Sequence, residues 1–99
     1  MPSKTVLITG CSQGGIGDAL CKEFSHQGLR VFATARNPAK IEHFQALGIE
    51  TVLLDVTDTA SLEKAVQTVS TATGGTLDFL VNNSGSGELF HAVLNHPKD

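Results

Sequence analysis

Residues 9–17 read Thr-Gly-Cys-Ser-Gln-Gly-Gly-Ile-Gly. Four of these nine residues are glycine. They follow the apolar, β-branched run Lys4–Thr9, which predicts a buried strand. They open onto Ile16, Leu20 and Phe24, an i, i+4, i+8 series that predicts a helix face, with Gly28 as its stop. A side-chain-poor bend at a strand-to-helix junction puts free backbone N–H groups at the positive end of a helix dipole. Glycine lets a ligand approach that backbone closely. A phosphate-bearing ligand suits such a bend, and a tight turn that binds nothing is the plainer alternative.

Beyond the bend the pattern alternates. Arg30–Ala35 predicts a second strand. Asn37-Pro38 reads as an N-cap with Pro at the first helical position, opening a helix to Leu47 that Gly48 closes. Glu50–Leu54 predicts a third strand. Thr59–Thr73 predicts a helix with Leu62, Val66 and Val69 on its buried face and Gly74-Gly75 at its end. Leu77–Asn82 predicts a fourth strand. Alternation of this kind with short loops implies a parallel sheet carrying helices on its faces, and near-continuous apolar strands agree with cover on both sides. The division expected is 1–87 as one α/β unit and 88–99 as an irregular tail.

Composition narrows the function. The chain has 99 residues, enough for one small domain. Its formal net charge is −3 and it has no basic run, so nucleic acid is not an expected partner. No apolar run approaches a membrane span, and Met1-Pro2-Ser3-Lys4 has no signal-peptide layout. Cys11 and Cys21 read as reduced thiols, with loop filling as the simplest role for Cys11. The four histidines do not cluster with cysteine or carboxylate at ligand spacing, so no metal is expected. Asp78 and Glu88 read as solvated.

The bend also excludes ligands. Gly10 and Gly15 keep the G-x-x-x-x-G frame of a nucleotide triphosphate loop, but Ile16-Gly17 stand where that loop needs Lys and Ser/Thr. The strict G-x-G-x-x-G fingerprint is absent as well.

A third pattern does match. Thr9-Gly10, four residues, then Gly15-Ile16-Gly17 resembles the coenzyme loop of the short-chain dehydrogenase/reductase family, one residue longer than its commonest version. "FATAR" (32–36) resembles the second-strand end of its NADP-using members. "LLDVTD" (53–58) resembles its Asp-Val/Leu pair, and "NNSG" (82–85) its Asn-Asn-Ala-Gly motif, with Ser84 replacing Ala. Within the family, the loop is similar to those of acyl-dihydroxyacetone-phosphate reductases and some hydroxysteroid dehydrogenases. The resemblance covers residues 4–87. It implies a Rossmann-like doubly wound parallel sheet and hydride transfer between NADP(H) and an alcohol or carbonyl. For location it implies the cytoplasm, or the cytosolic face of endoplasmic reticulum or lipid droplets.

The resemblance also implies roles. Gly10, Ser12, Gly15, Ile16 and Gly17 would cradle the coenzyme, with the Ser12 hydroxyl adding to the 2′-phosphate contact. Asp55 would hold the adenine amino group with the Val56 backbone beside it. Asn83 would lie by the adenosine ribose, and Asn82 would tie the fourth strand to its neighbours. The plainer readings are a cap or turn aspartate for Asp55 and a strand-end turn for the asparagines. For Arg36 the residues themselves argue. It stands 19 residues past Gly17, and no Asp or Glu lies between Glu23 and Glu42. An NAD-selective site wants a carboxylate there, and a guanidinium suits a 2′-phosphate instead. A solvated surface arginine is the alternative. Lys40 is not assigned to either the strand end or the loop.

The chain contains no tyrosine, so the family's Tyr-x-x-x-Lys pair is not among these residues and no catalytic residue is expected. The chain then reads as the first half of a larger enzyme, truncated after the fourth strand, whose exposed edge invites an oligomer or a partner chain. A non-catalytic NADPH-binding or sheet-completing module is the alternative function. An unrelated α/β phosphate-binding domain is a third reading.

Overall fold

A computed structural model describes residues 4–55 and 57–83. Val56 and the predicted tail from 88 onward lie outside the described residues. Strand β1 spans Thr5–Ile8, helix α1 Ile16–His26, strand β2 Arg30–Ala35, strand β3 Glu50–Leu53, helix α2 Thr59–Thr73 and strand β4 Phe79–Val81. Two 3₁₀ segments, Pro38–Lys40 and Glu42–Leu47, lie between β2 and β3.

All pairings are parallel, in the order β3-β2-β1-β4. The chain steps outward from β1 through β2 to β3, then returns to place β4 on the other side of β1. That reversal makes the sheet doubly wound, and it opens a crevice beyond the carboxyl ends of β1 and β4. Each strand sends alternate residues to opposite faces. Val6 and Ile8 join Cys21, Ile41 and Phe44 in one core, with Leu20 and Phe24 of α1 packed against it. Leu7 and Phe32 join Leu62, Ala65, Val66 and Val69 of α2 in the other.

The sequence pattern located every element among the described residues, and the structure revises several details. β1 and β3 are shorter than the apolar runs that predict them, and β4 starts at Phe79 rather than Leu77. Ile16 does not face the core: it is 72 % exposed, and the buried residues of α1 are Gly17, Asp18 and Cys21. The rotation of α1 is fixed at its start, where Gly17 lies against the backbone of Gly10.

The helix predicted from Asn37 to Leu47 is two 3₁₀ pieces instead. Asn37 caps the first, its side chain accepting from Ala39 N at 3.0 Å. Ile41 then breaks the run. Ile41 and Phe44 are three residues apart and both fully buried, the spacing that a 3₁₀ turn stacks on one side. Phe44 N donates to Ile41 O at 3.1 Å.

Asp78 is exposed, as expected, and it also ties two strands together. Its carboxylate accepts from Thr5 N at 2.8 Å, and its own N–H donates to the Thr5 hydroxyl at 3.0 Å. These bonds pin the start of β4 to β1.

Candidate functional site

The four motifs arrive at one edge of the sheet because parallel strands end on the same side. The loop of residues 9–15 follows β1, Arg36 follows β2, Asp55 lies two residues past β3, and Asn82-Asn83 follow β4. Gly10, Ser12, Gly15 and Ile16 are exposed, whereas Gly17 is buried. Gly10 and Gly14 hold φ of 68° and 88°, the left-handed region that glycine tolerates. A Cβ on Gly17 would overlap the Gly10 carbonyl and meet Asn83 Nδ2 at 3.0 Å.

The loop's N–H groups are largely spoken for. Cys11 N donates to Thr34 O at 2.8 Å, Gln13 N to Lys40 O at 3.0 Å and Gly15 N to Ser12 O at 3.0 Å. Gly14 N donates to Asp18 Oδ2 at 2.9 Å. The first intrahelical bond of α1 comes from Ala19 N to Gly15 O, and Gly15 offers no side-chain cap. Among the described residues, the N–H groups of Ile16, Gly17 and Asp18 are therefore left without a backbone acceptor at this helix start, and Ile16 and Gly17 are the first two a ligand meets.

Asp18 was invisible in the sequence pattern. It is 5 % exposed and gathers three donors: Gly14 N, His43 Nε2 at 2.8 Å and Lys22 Nζ at 3.3 Å. Burial pushes its carboxyl up, but the bonds from Gly14, His43 and Lys22 outweigh it and hold the group below its usual range. The second 3₁₀ segment is thereby fastened to the loop. An acid in a first helical turn is an ordinary helix-dipole residue, and only the fold brings His43 to it across 25 positions. Lys40, unassigned from the sequence, adds the other fastening through its carbonyl.

Arg36 is exposed and, among the described residues, forms no ion pair within 4.0 Å. Its charge reaches Asp55. Asp55 Oδ1 accepts from Thr57 N at 3.0 Å and from the Thr57 hydroxyl at 2.6 Å. The Thr57 bonds, and more weakly Arg36, hold the Asp55 carboxyl below its usual range. Asp55 thus closes an Asx turn, while the cap of α2 is Asp58, accepting from Ala60 N at 3.0 Å. At the end of β4 the tie is made chiefly by Asn83. Its N–H donates to the Thr9 hydroxyl at 2.9 Å and its Nδ2 to Gly10 O at 3.0 Å, whereas Asn82 Oδ1 receives the same hydroxyl at only 3.4 Å. The fourth strand therefore holds the glycine bend directly.

Compared with known families, residues 4–97 match the one described as short chain dehydrogenase. The chain belongs to the short-chain dehydrogenases. Among curated short-chain dehydrogenases, it is 52 % identical over 88 residues to PC-15 of Penicillium crustosum, covering 88 % of this chain and 32 % of that protein. It is 46 % identical over 83 residues to the NADPH-dependent 1-acyldihydroxyacetone phosphate reductase of Schizosaccharomyces pombe, covering 84 % of this chain and 28 % of that one. Among solved structures, a metagenomic short-chain oxidoreductase in complex with NADP superposes with a TM-score of 0.66 at 27 % identity, over 81 % of this chain and 38 % of the other. The chain spans about a third of the length of the curated short-chain dehydrogenases it matches. Family membership sets aside an unrelated phosphate-binding domain. Among the described residues no helix is long and apolar enough to cross a membrane, and no three metal-ligating side chains come together.

Proposed function

We propose that this chain binds NADP(H) at the carboxyl edge of its sheet and forms the coenzyme-binding part of an NADP-dependent alcohol/carbonyl oxidoreductase. The observation that carries the reading is the unengaged N–H groups at the start of α1, Ile16 and Gly17 first among them, on the same sheet edge as an exposed Arg36, neither having a protein partner among the described residues. The pyrophosphate belongs on those N–H groups, and Gly17 lets the start of α1 pack against Gly10 and Asn83, where a side chain would clash. Arg36 grips the 2′-phosphate with a fork of donors, and the exposed Ser12 hydroxyl supports it. Asp55 takes the adenine side, and Asn83 the ribose side while holding Gly10 in place. Val56, assigned to the adenine through its backbone, lies outside the described residues. The coenzyme supplies the hydride; these residues hold and orient it. With no tyrosine in the chain, the proton-transfer step of a Tyr-x-x-x-Lys pair is not theirs.

Isothermal titration with NADPH and NADH tests the reading. NADPH binds about tenfold tighter or more, the worth of a hydrogen bond to a charged group, and Arg36→Ala erases the preference. Equal affinities for the two coenzymes overturn the role of Arg36. The chain shows no turnover of carbonyl substrates with NADPH; measurable turnover overturns the absence of a catalytic pair.

A further inference from the structure

Cys11 and Cys21 are both fully buried, and their sulfurs are 3.2 Å apart. Cys11 is the third residue of the glycine bend, and Cys21 lies in the second turn of α1. Coenzyme binding as proposed above uses neither thiol. The pair is asymmetric. The Cys21 thiol donates to Cys11 Sγ, and Cys11 Sγ lies 3.0 Å from Ile8 O. We infer that Cys11 and Cys21 form an oxidation site that closes to an intrachain disulfide under hydroperoxides and, in closing, reshapes the coenzyme loop.

The hydrogen bond from Cys21 holds the Cys11 thiol below its usual range against the pull of burial, so Cys11 is the attacking sulfur. That same bond, then burial, pushes Cys21 up, which keeps it protonated as the resolving thiol. The Cys11 thiolate attacks one oxygen of the hydroperoxide. The O–O bond breaks, the other oxygen leaves as alkoxide or hydroxide and takes the thiol proton, and Cys11 becomes a sulfenic acid. Cys21 sulfur then attacks Cys11 sulfur, the S–O bond breaks, and water departs with the Cys21 proton. Two thiols are oxidised and one hydroperoxide is reduced. Both sulfurs are fully buried, so the hydroperoxide reaches them only when the bend opens.

Bond formation shortens the sulfur separation by about 1 Å, to roughly 2.05 Å. The bend has little slack to absorb this. Cys11 N is bonded to Thr34 O, Gly10 O accepts from Asn83 Nδ2, and Gly17 packs so close to Gly10 that no side chain would fit between them. With Cys11 held, closing draws Cys21 and the first turns of α1 toward the bend, and the Ile16 and Gly17 donors at the start of that helix move with it. Ile8 O loses the Cys11 thiol but keeps the Thr34 hydroxyl at 3.1 Å, so closing leaves no orphaned carbonyl.

The test treats the purified protein with hydrogen peroxide and reads intact mass, hydrogen exchange over residues 9–17, and NADPH affinity. The expected result is loss of two hydrogens from one chain, reversed by dithiothreitol, with altered exchange in the loop and about tenfold weaker NADPH binding, the equivalent of one charged hydrogen bond. Cys21→Ser stops at a sulfenic acid that dimedone traps on Cys11, and Cys11→Ser forms neither product. An unchanged mass, a disulfide only between chains, or trapping on Cys21 overturns the pair as a site. A disulfide that leaves both loop exchange and NADPH affinity unchanged overturns its effect on the loop. The effect on affinity rests on the proposed coenzyme site. If the reduced protein binds no NADPH, that proposal falls, and mass and exchange still decide this one.

Discussion

At the scale of single residues, the glycine bend is held by contacts that no local pattern announces. Asp18 is the clearest of them, taking Gly14 N, His43 and Lys22 on one nearly buried carboxylate. Asp18→Ala leaves His43 Nε2 and Gly14 N without an acceptor. His43 Nδ1 is already buried without a partner among the described residues. The loss costs about 1–3 kcal/mol, the usual penalty for orphaned donors, and weakens NADPH because the loop loses its fastening to the second 3₁₀ segment. Asp18→Asn keeps one acceptor oxygen and falls between the two. Denaturant midpoints and NADPH titrations on the same variants check this, and full coenzyme affinity in a destabilised Asp18→Ala protein sinks the positioning role.

At the scale of elements, α2 was legible because its determinants are local. Asp58 caps it, Leu62, Val66 and Val69 form its apolar stripe, and Gly74 ends it with φ of 74°. Asp58→Ala lowers stability by about 0.5–2 kcal/mol, the worth of an N-cap, and shifts the denaturant midpoint while leaving the coenzyme site intact. Helix α1 was legible in extent and misread in orientation. Counting large apolar residues puts Ile16 inward, but Gly17, the smallest residue present, decides which side faces the sheet. Segment 37–47 obeyed its cap and its closing glycine, yet tertiary burial of Ile41 and Phe44 imposed the tighter 3₁₀ turns. Arg30 joins three elements: its guanidinium meets Glu50 of β3 at 2.6 and 2.8 Å and Ala72 O of α2 at 2.8 Å. With both partners more than a third exposed, the ion pair contributes only about 0.2–1 kcal/mol.

At the scale of the whole molecule, charge is tied to folding through its carboxylates. Asp18, Glu50, Asp55 and Asp78 all titrate below their usual range in the folded state. A carboxyl whose folded pKa is depressed contributes stability that is fully present above its unfolded value of about 4 and is lost as pH falls through the folded one. These four shifts have the same sign, so their contributions add. Melting temperature stays level with respect to these groups from pH 7 to about pH 5 and falls steeply below pH ~4. A melting temperature unchanged between pH 5 and pH 3 contradicts the linkage.

The sequence alone determined the order of elements, the parallel sheet and the strand ends at which the family's motifs sit, because propensity, apolar periodicity, caps and glycine stops act within a few residues. It also determined that Arg36, rather than a carboxylate, stands past the second strand. Only the tertiary structure decided which loop N–H groups are already engaged, that Asn83 rather than Asn82 carries the tie to the bend, that Asp18 meets His43, and that two thiols ten residues apart touch. Each of these is a contact between segments distant in sequence or a consequence of how a helix is rotated against the sheet. Packing across the whole fold sets them, and no local run of residues encodes them.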